Sequence, residues 1–564
     1  MAGEYWQRFW QRRLGRRSFL RAAAFGAGAA ALSGTLACRE QAPQATPPPA
    51  AGEEGPPKRG GRSQAWSTVT FDQLDPHISV AASTAYFPRV YNTLVSQSQQ
   101  KPDFFYYDLA ETLEQPDAVT YIFRIRPGIR VAPNNLGVPE RELDAQDAYA
   151  NWERIKNEPR ALASRFSKQF LASHAAQDAR TYVMKTSDPY AWTIYNVGLA
   201  VSTIAPRELL ANPDRLRTAG AGGGPFSFGR FVEGEGLSLE RNPTYYRKGK
   251  DDRPLPYVDG IDVRIIPDRA ARLAAFQTRQ IHYYTAANFR EAQQLMDPNN
   301  YYLIKEPIFS FMAVTMNAER APFSDPRVRR AVARSINHEQ FINVVHLGDA
   351  KVNGIVHWAL GDFALPESEL KSRYLVYNPQ EARQLLSAAG YPQGLRIKMM
   401  YPANTGASGG GDVSQYVPIL IENLRSGGIE VEQEPLDFGT WLDRYRRRDY
   451  DSSLSLNQVY ETAEVPLDWH TSWGPAGDGV SWNIFRDPEI DAAVRRVKQI
   501  TQSVQELVRA IHDVQRLIYS KDPSFIPLPS SSSNTLWWNF VKNNPGRLGL
   551  GVTALFLADW WLDL

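Results

Sequence analysis

The chain has 564 residues, with 63 Lys and Arg against 61 Asp and Glu, 43% hydrophobic side chains, 39 Gly, 39 Pro and one Cys. Such a length predicts more than one structural unit, and the ordinary apolar content excludes both a disordered chain and a polytopic membrane protein. A net charge of +2 is too small for an electrostatic nucleic-acid binder, and a single thiol excludes internal disulfides and cysteine-built zinc or iron–sulfur centres.

The first 37 residues stand apart as a targeting segment. Arg8, Arg12, Arg13, Arg16, Arg17 and Arg21 face one acid, Glu4, and the apolar stretch 22–37 is shorter than the roughly 20 residues of a bilayer span. Gly15-Arg16-Arg17-Ser18-Phe19-Leu20-Arg21 resembles a twin-arginine export signal, with Arg16 and Arg17 as its pair. Cys38, after Thr35-Leu36-Ala37, resembles the acylated cysteine of a bacterial lipobox, although Thr35 stands where Leu is usual. Acyl chains there would hold the mature chain on a membrane without a spanning helix. Cleavage before Cys38 removes six basic side chains and one acidic one, leaving 57 against 60 and a formal charge of −3. Residues 38–62, rich in Pro, Ala, Gly and charge, predict a flexible tether, because too little apolar surface is present to offset the entropy of ordering.

From about residue 63 the patterns are those of a folded protein. Residues 65–69 read as a strand before the turn former Asp75-Pro76. Over 120–125, Thr, Ile and Arg alternate with Tyr, Phe and Ile, as in a half-buried strand. Asp144, with Asp147 three residues on, suits a helix N-terminus that continues through Trp152 and Ile155. Beyond the glycine run 220–224, residues 225–241 predict a hairpin, with Phe226, Phe228, Phe231, Leu237 and Leu239 around the turn Glu233-Gly234-Glu235-Gly236. Residues 263–266 read as a strand and 269–280 as a helix. Asp325-Pro326 opens a helix with Val328, Ala331, Val332 and Ile336 on one face, and a further helix over 379–390 stops at Gly390. Residues 395–400, 413–424 and 429–431 then read strand, helix, strand, a parallel βαβ unit. Residues 488–520 read as one helix, and Trp537, Trp538, Trp560 and Trp561 must pack. No internal repeat appears. The pattern is that of an α/β protein with two large lobes.

Short segments spread along this chain carry a family likeness. Tyr91-Asn92-Thr93-Leu94-Val95, Asp108-Leu109-Ala110-Glu111, Leu143-Asp144-Ala145-Gln146-Asp147 and Gly224-Pro225-Phe226 come first. Asn242-Pro243-Thr244-Tyr245-Tyr246, Phe323-Ser324-Asp325-Pro326-Arg327-Val328-Arg329-Arg330, Ala389-Gly390-Tyr391 and Arg486-Asp487-Pro488-Glu489-Ile490-Asp491 follow. In this order and spacing the chain resembles the family 5 solute-binding proteins of ABC importers, the oligopeptide and dipeptide binders. The resemblance implies an α/β, bilobal periplasmic-binding-protein-like clamshell with an additional inserted satellite domain. Lobe one is expected over 63–95, 223–308 and 522–564, the satellite over 96–222 and lobe two over 309–521. It further implies a non-enzymatic receptor, expected to be a monomer; some relatives carry nickel or haem, but the eight scattered histidines here read as surface or packed residues, so no metal or cofactor is expected. Such a receptor captures a peptide-like solute and hands it to an ABC permease with separate ATPase subunits. Its expected place is the periplasm or the outer face of the cytoplasmic membrane, with a lipid anchor at Cys38 and no nucleic-acid partner.

In that family a bound peptide lies extended and its main chain is hydrogen-bonded like an added strand. Its ammonium needs an acidic partner, because a buried unpaired charge is costly. The acid follows a strand reading Asp-Tyr-Asp, beyond a Gly-Trp pair. Here Asp449-Tyr450-Asp451 is present, but the Gly-Trp positions read Leu456-Asn457 and the acid position reads Tyr460. Glu461, the next residue, becomes the candidate ammonium partner after a one-residue shift. Asn457 and Gln458 offer neutral donors and acceptors that suit a sugar or amide equally well, which keeps an oligosaccharide or other small polar solute open. Matching the segments that cross between the lobes adds Ser79, Ala82 and Ser83, and His357 and Trp358. The Trp358 indole suits stacking on a ring or covering an apolar side chain.

Other chemistries find little support. Gly406-Ala407-Ser408-Gly409-Gly410 matches a nucleophile-elbow pattern but sits in a loop-like run rather than between strand and helix, leaving a secreted hydrolase as a remote alternative. The run 220–224 lacks the Lys-Ser/Thr of a phosphate loop, and His338-Glu339 lacks the second histidine of a zinc-protease helix.

Overall fold

Strand Arg62–Ser67 buries Ser63, Ala65 and Ser67 and leaves Gln64 and Trp66 half-buried, the alternation of a strand with one covered face. The structure is a computed structural model and describes residues 55–79, 85–97, 105–308, 310–403, 413–458, 462–474, 486–501, 503–544 and 558–564. The opening strand starts earlier than its apolar pattern suggests because Arg62 anchors it, bonding Asp262 and Glu240 on the next two strands. It runs parallel to Gly260–Ile265, and antiparallel Gly236–Arg241 and Phe226–Val232 complete a four-stranded sheet. The hairpin expected over 225–241 is therefore present. The glycine run before it passes so close to helix Phe87–Val90 that a Cβ on Gly222 would lie 2.5 Å from Val90 O. Close backbone approach, not phosphate binding, accounts for those glycines.

A second sheet is wholly antiparallel, in the order Ala110–Glu114, Thr120–Ile125, Thr181–Thr186, Leu171–Asp178. Helix Ala145–Asn157 packs on its last two strands through a face that buries Ala148, Trp152 and Ile155. Its start is a reciprocal capping box. Asp144 accepts from the backbone N–H of Gln146 and Asp147, and Asp147 accepts from that of Asp144 at 3.0 Å.

The largest sheet has five strands, in the order Ile429–Leu436, Leu395–Pro402, Ser452–Gln458, Ser310–Met316, Phe525–Pro527. Leu395–Pro402 and Ile429–Leu436 are parallel and joined by helix Val413–Ser426, the predicted βαβ unit. Ser310–Met316 lies between two neighbours and is buried at every position. A smaller sheet of Tyr283–Ala286, Ser530–Trp538 and Tyr301–Pro307, with the two-residue strand Ala350–Lys351 also paired to Ser530–Trp538, stands beside it. Long strands of the two sheets follow one another directly at two places, from Pro307 to Ser310 and from Pro527 to Ser530.

The stretch expected as one helix over 488–520 is two, Pro488–Lys498 and Val504–Ser520. Ser503 caps the second by accepting from Glu506 N at 3.1 Å, a start signal inside an otherwise continuous apolar period. The late tryptophans do pack. Trp537 lies against Tyr283 and Trp560, and Trp561 joins Tyr245, Leu255 and Tyr257.

Candidate functional site

The two chain crossings form a hinge, and one of them is braced from the five-stranded side by side-chain hydrogen bonds and by pairing with Ala350–Lys351. Asn353 Nδ2 donates to Leu528 O at 2.7 Å and to Ser530 Oγ at 3.1 Å. His338 Nε2 meets Pro527 O at 3.2 Å and His346 Nε2 meets Pro529 O at 3.1 Å. His357 Nδ1 accepts from Ala359 N, so its Nε2 carries the proton and donates to Ser530 Oγ at 2.9 Å. Trp358 Nε1 donates to the same hydroxyl at 3.0 Å. Burial pushes the imidazole of His338 down to about 4 and that of His357 down to about 3, so both are neutral at neutral pH and suit these neutral partners.

His357 is thus fully buried beneath the hinge strand, with both ring nitrogens committed to protein. Trp358 is half-buried, with Lys351 Nζ 5.0 Å from its ring centre, and it borders a cavity of about 470 Å³ with Gly354, Asp362 and His512. Ser79 is also buried, its Oγ donating to Asp72 Oδ1 at 2.6 Å. Its neighbours are stapled to the antiparallel sheet's helix, where Arg154 forks onto Asp75 at 2.6 and 2.9 Å and also reaches His77. Asn457 and Gln458 end the strand Ser452–Gln458, in register with Phe311 and Ser310, so they lie at the hinge end of the five-stranded sheet. Ala82, Ser83, Tyr460 and Glu461 lie outside the described residues, as do Arg16, Arg17, Cys38 and Ser408.

A buried charge cluster joins the antiparallel domain to the five-stranded lobe. Tyr190, packed on Phe170 with ring centres 3.8 Å apart, puts its hydroxyl 2.6 Å from both carboxylate oxygens of Glu464. Lys498 Nζ lies 3.1 Å from Glu464 and 2.8 Å from Asp468, and Arg165 approaches Asp468 at 3.6 Å. The main chain adds Ala191 N to Lys498 O at 2.7 Å. Burial outweighs the Lys498 and Arg165 charges at Asp468 and pushes its carboxyl up to about 6. No chain segment ties these two bodies directly, so separating them would break every one of these bonds. Among the described residues no group of three or more His, Cys, Asp or Glu is placed to hold a metal ion, and no helix is long and apolar enough to cross a membrane.

Residues 105–478, about two thirds of the chain, match the model of the bacterial extracellular solute-binding proteins, family 5. The chain belongs to that family. Among this family 5 protein's relatives, the oligopeptide-binding protein AppA of Bacillus subtilis is 23% identical over 367 residues, covering 60% of this chain and 63% of AppA. The structure of the ABC transporter-associated periplasmic binding protein DppA of Helicobacter pylori, in complex with the peptide STSA, superposes with a TM-score of 0.70 at 20% identity, covering 90% of this chain and 99% of DppA. That of MoaA of A. tumefaciens R10, in complex with mannopinic acid, superposes at 0.68 and 18% identity, covering 90% and 100%. These likenesses establish the bilobal periplasmic-binding-protein fold, as the residue patterns led us to expect.

Within this family 5 chain, sequence reading singled out the hinge-side residues but not the charge cluster. Tyr190, Glu464, Asp468 and Lys498 come from three distant segments and form no motif. The one local hint is Glu464 and Asp468 four apart on a short helix, a spacing that places both on one face.

Proposed function

We propose that the protein is the extracytoplasmic receptor of an ABC importer, capturing a peptide-like solute between its lobes for delivery to a permease and performing no chemistry of its own. The observation that carries this reading is the combination of a braced two-strand hinge with a buried charge cluster that joins the antiparallel domain to the five-stranded lobe. Such an architecture has two states, and a solute that touches both lobes favours the closed one to the extent of its contacts. Family membership, AppA's designation as an oligopeptide binder and the peptide held by DppA support a peptide as cargo.

In this reading Asn457 and Gln458 are solute-binding residues at the hinge end of their strand, Glu461 beside Tyr460 receives the solute's ammonium, and Trp358 covers a side chain. Ala82 and Ser83 belong to the same lining, while His357 and Ser79 act from behind it, holding hinge and crossing segment in place. The lobes span 63–95 with 223–308 and 530–564, and 309–527, with the satellite at 96–222; the second boundary lies a few residues later than the expected 521/522 because strand Phe525–Pro527 pairs within the five-stranded sheet. The mature receptor is monomeric, exported through the Arg16-Arg17 signal and lipid-anchored at Cys38. A second reading, a sugar-derived or other small polar solute, is favoured by the neutral amides Asn457 and Gln458 and by the mannopinic acid bound to MoaA. Native mass spectrometry of gently purified protein, with fragmentation of released cargo, separates the two. Residue-spaced peptide fragments support the first, and sugar-derived fragments the second.

A further inference from the structure

The five-stranded lobe carries another concave site, at the start of the strand that leads into the hinge. A cavity of about 150 Å³ lies between helix Pro326–Ser335, the turn Leu370–Tyr374, the end of helix Val504–Ser520 and the loop before Phe525–Pro527. Four guanidinium groups line it, those of Arg329, Arg330, Arg334 and Arg373, against one carboxylate, Asp522. Arg330 grips Asp522 through Nε and Nη2 at 2.7 Å each. Arg334 gives Nε to Glu381 at 2.9 Å and Nη1 to Tyr374 O at 3.2 Å. Arg329 is buried, 5% exposed, and reaches the carbonyls of Phe323, Lys521 and Asp522. Among the described residues Arg373, Nη1 of Arg330 and Nη2 of Arg334 donate to nothing. Asp522 and Glu381 answer Arg330 and Arg334, and Glu369 and Asp325 lie within charge range of Arg373 and Arg329, so what distinguishes the recess is the set of open N–H groups that three arginines hold beside the stacked rings of Tyr374 and Tyr519.

We infer that this recess is a binding site for a single oxyanion, a phosphate or a carboxylate group, taken by the open N–H forks of Arg373, Arg330 and Arg334. Arginine forks match the oxygens of both groups with paired, charge-assisted hydrogen bonds. The volume admits one such group and no nucleotide. Two sources share this chemistry, free inorganic phosphate and the carboxylate end of a larger molecule. Occupation would tie the helix and the turn to the loop entering the hinge strand, a link separate from solute capture.

The test is calorimetric titration of the full mature chain with inorganic phosphate, and in a second arm with acetate, both in buffers matched with chloride for ionic strength. We expect one saturable site, weakened at least tenfold by Arg373→Ala, with cargo affinity unchanged. Arg373 is exposed and donates no hydrogen bond, and Glu369 beside it keeps Arg516, so its removal leaves the fold intact. Tighter phosphate than acetate assigns the free anion, and the reverse assigns a carboxylate end; either supports the site. No saturable heat in both arms, or equal affinity in Arg373→Ala, overturns it.

Discussion

Replacing Tyr190 by Phe removes one hydroxyl and little else. The ring keeps its packing on Phe170 and Phe166, while Glu464 loses a donor 2.6 Å from both its oxygens. A hydrogen bond to a charged group contributes about 1.5–3 kcal/mol. Lys498 Nζ, 3.1 Å away, still serves the carboxylate, so the lower end applies, roughly a tenfold effect on an equilibrium. In an open receptor both groups are wetted and the substitution costs little there, so the whole penalty falls on closure. If the empty protein is mainly open, apparent cargo affinity falls by the same factor, about tenfold. Calorimetry on the cargo-stripped variant measures it, and a cycle with Glu464→Gln should show strong non-additivity because the two side chains share one bond. Cargo affinity within twofold of the parent, with thermal stability lowered equally in the empty and loaded protein, would refute the reasoning: the contact would then persist in both states.

Acid should weaken the fold before most carboxylates titrate. Burial holds His77, His282 and His338 down at about 4 and His357 and His470 at about 3, so their stability contribution is complete above pH 6.5 and is lost as pH falls. Asp108 and Asp468, pushed up to about 6, act the opposite way, their contribution being lost as pH rises through 6. His174 and His346 are held down by burial as well, so the imidazoles outweigh the two carboxyls and unfolding near pH 5 takes up protons. Urea melts between pH 7 and 5 should show falling stability, and a flat profile would contradict the buried neutral imidazoles. Ser530→Ala strips the shared acceptor from His357, Trp358 and Asn353 and should cost about 2–3 kcal/mol in a urea melt, by leaving buried donors unmet. A loss below 0.5 kcal/mol, a limit set by ordinary surface changes, would mean water replaces it. Gly222→Ala forces a methyl to 2.5 Å from Val90 O and should lower the melting temperature sharply, whereas an unshifted melt would show that the run has room.

Much of the fold was legible because local periods and caps agree with their tertiary surroundings. The hairpin around Glu233–Gly236, the βαβ unit from Leu395 and the Asp144 cap all declare themselves within ten to forty residues. The break at Ser503 did not, because the apolar period runs on through it and only the serine–glutamate spacing marks a new start. The site divides in the same manner. His357 and Trp358 were found by matching the segments that cross between lobes, but the matching says where a residue lies and not which way it turns. Only packing shows that both reach Ser530, some 170 positions away. The Tyr190–Glu464 bond spans 274 positions and joins two separately built parts of the fold, which no sequence period encodes.

The most direct test of capture by closure is small-angle X-ray scattering on the mature protein, stripped of cargo by partial unfolding and refolding, before and after its cargo is restored. The account predicts a larger radius of gyration in the empty protein and contraction on loading, with Tyr190→Phe needing more cargo to contract. Identical profiles under conditions where calorimetry registers full binding would contradict it.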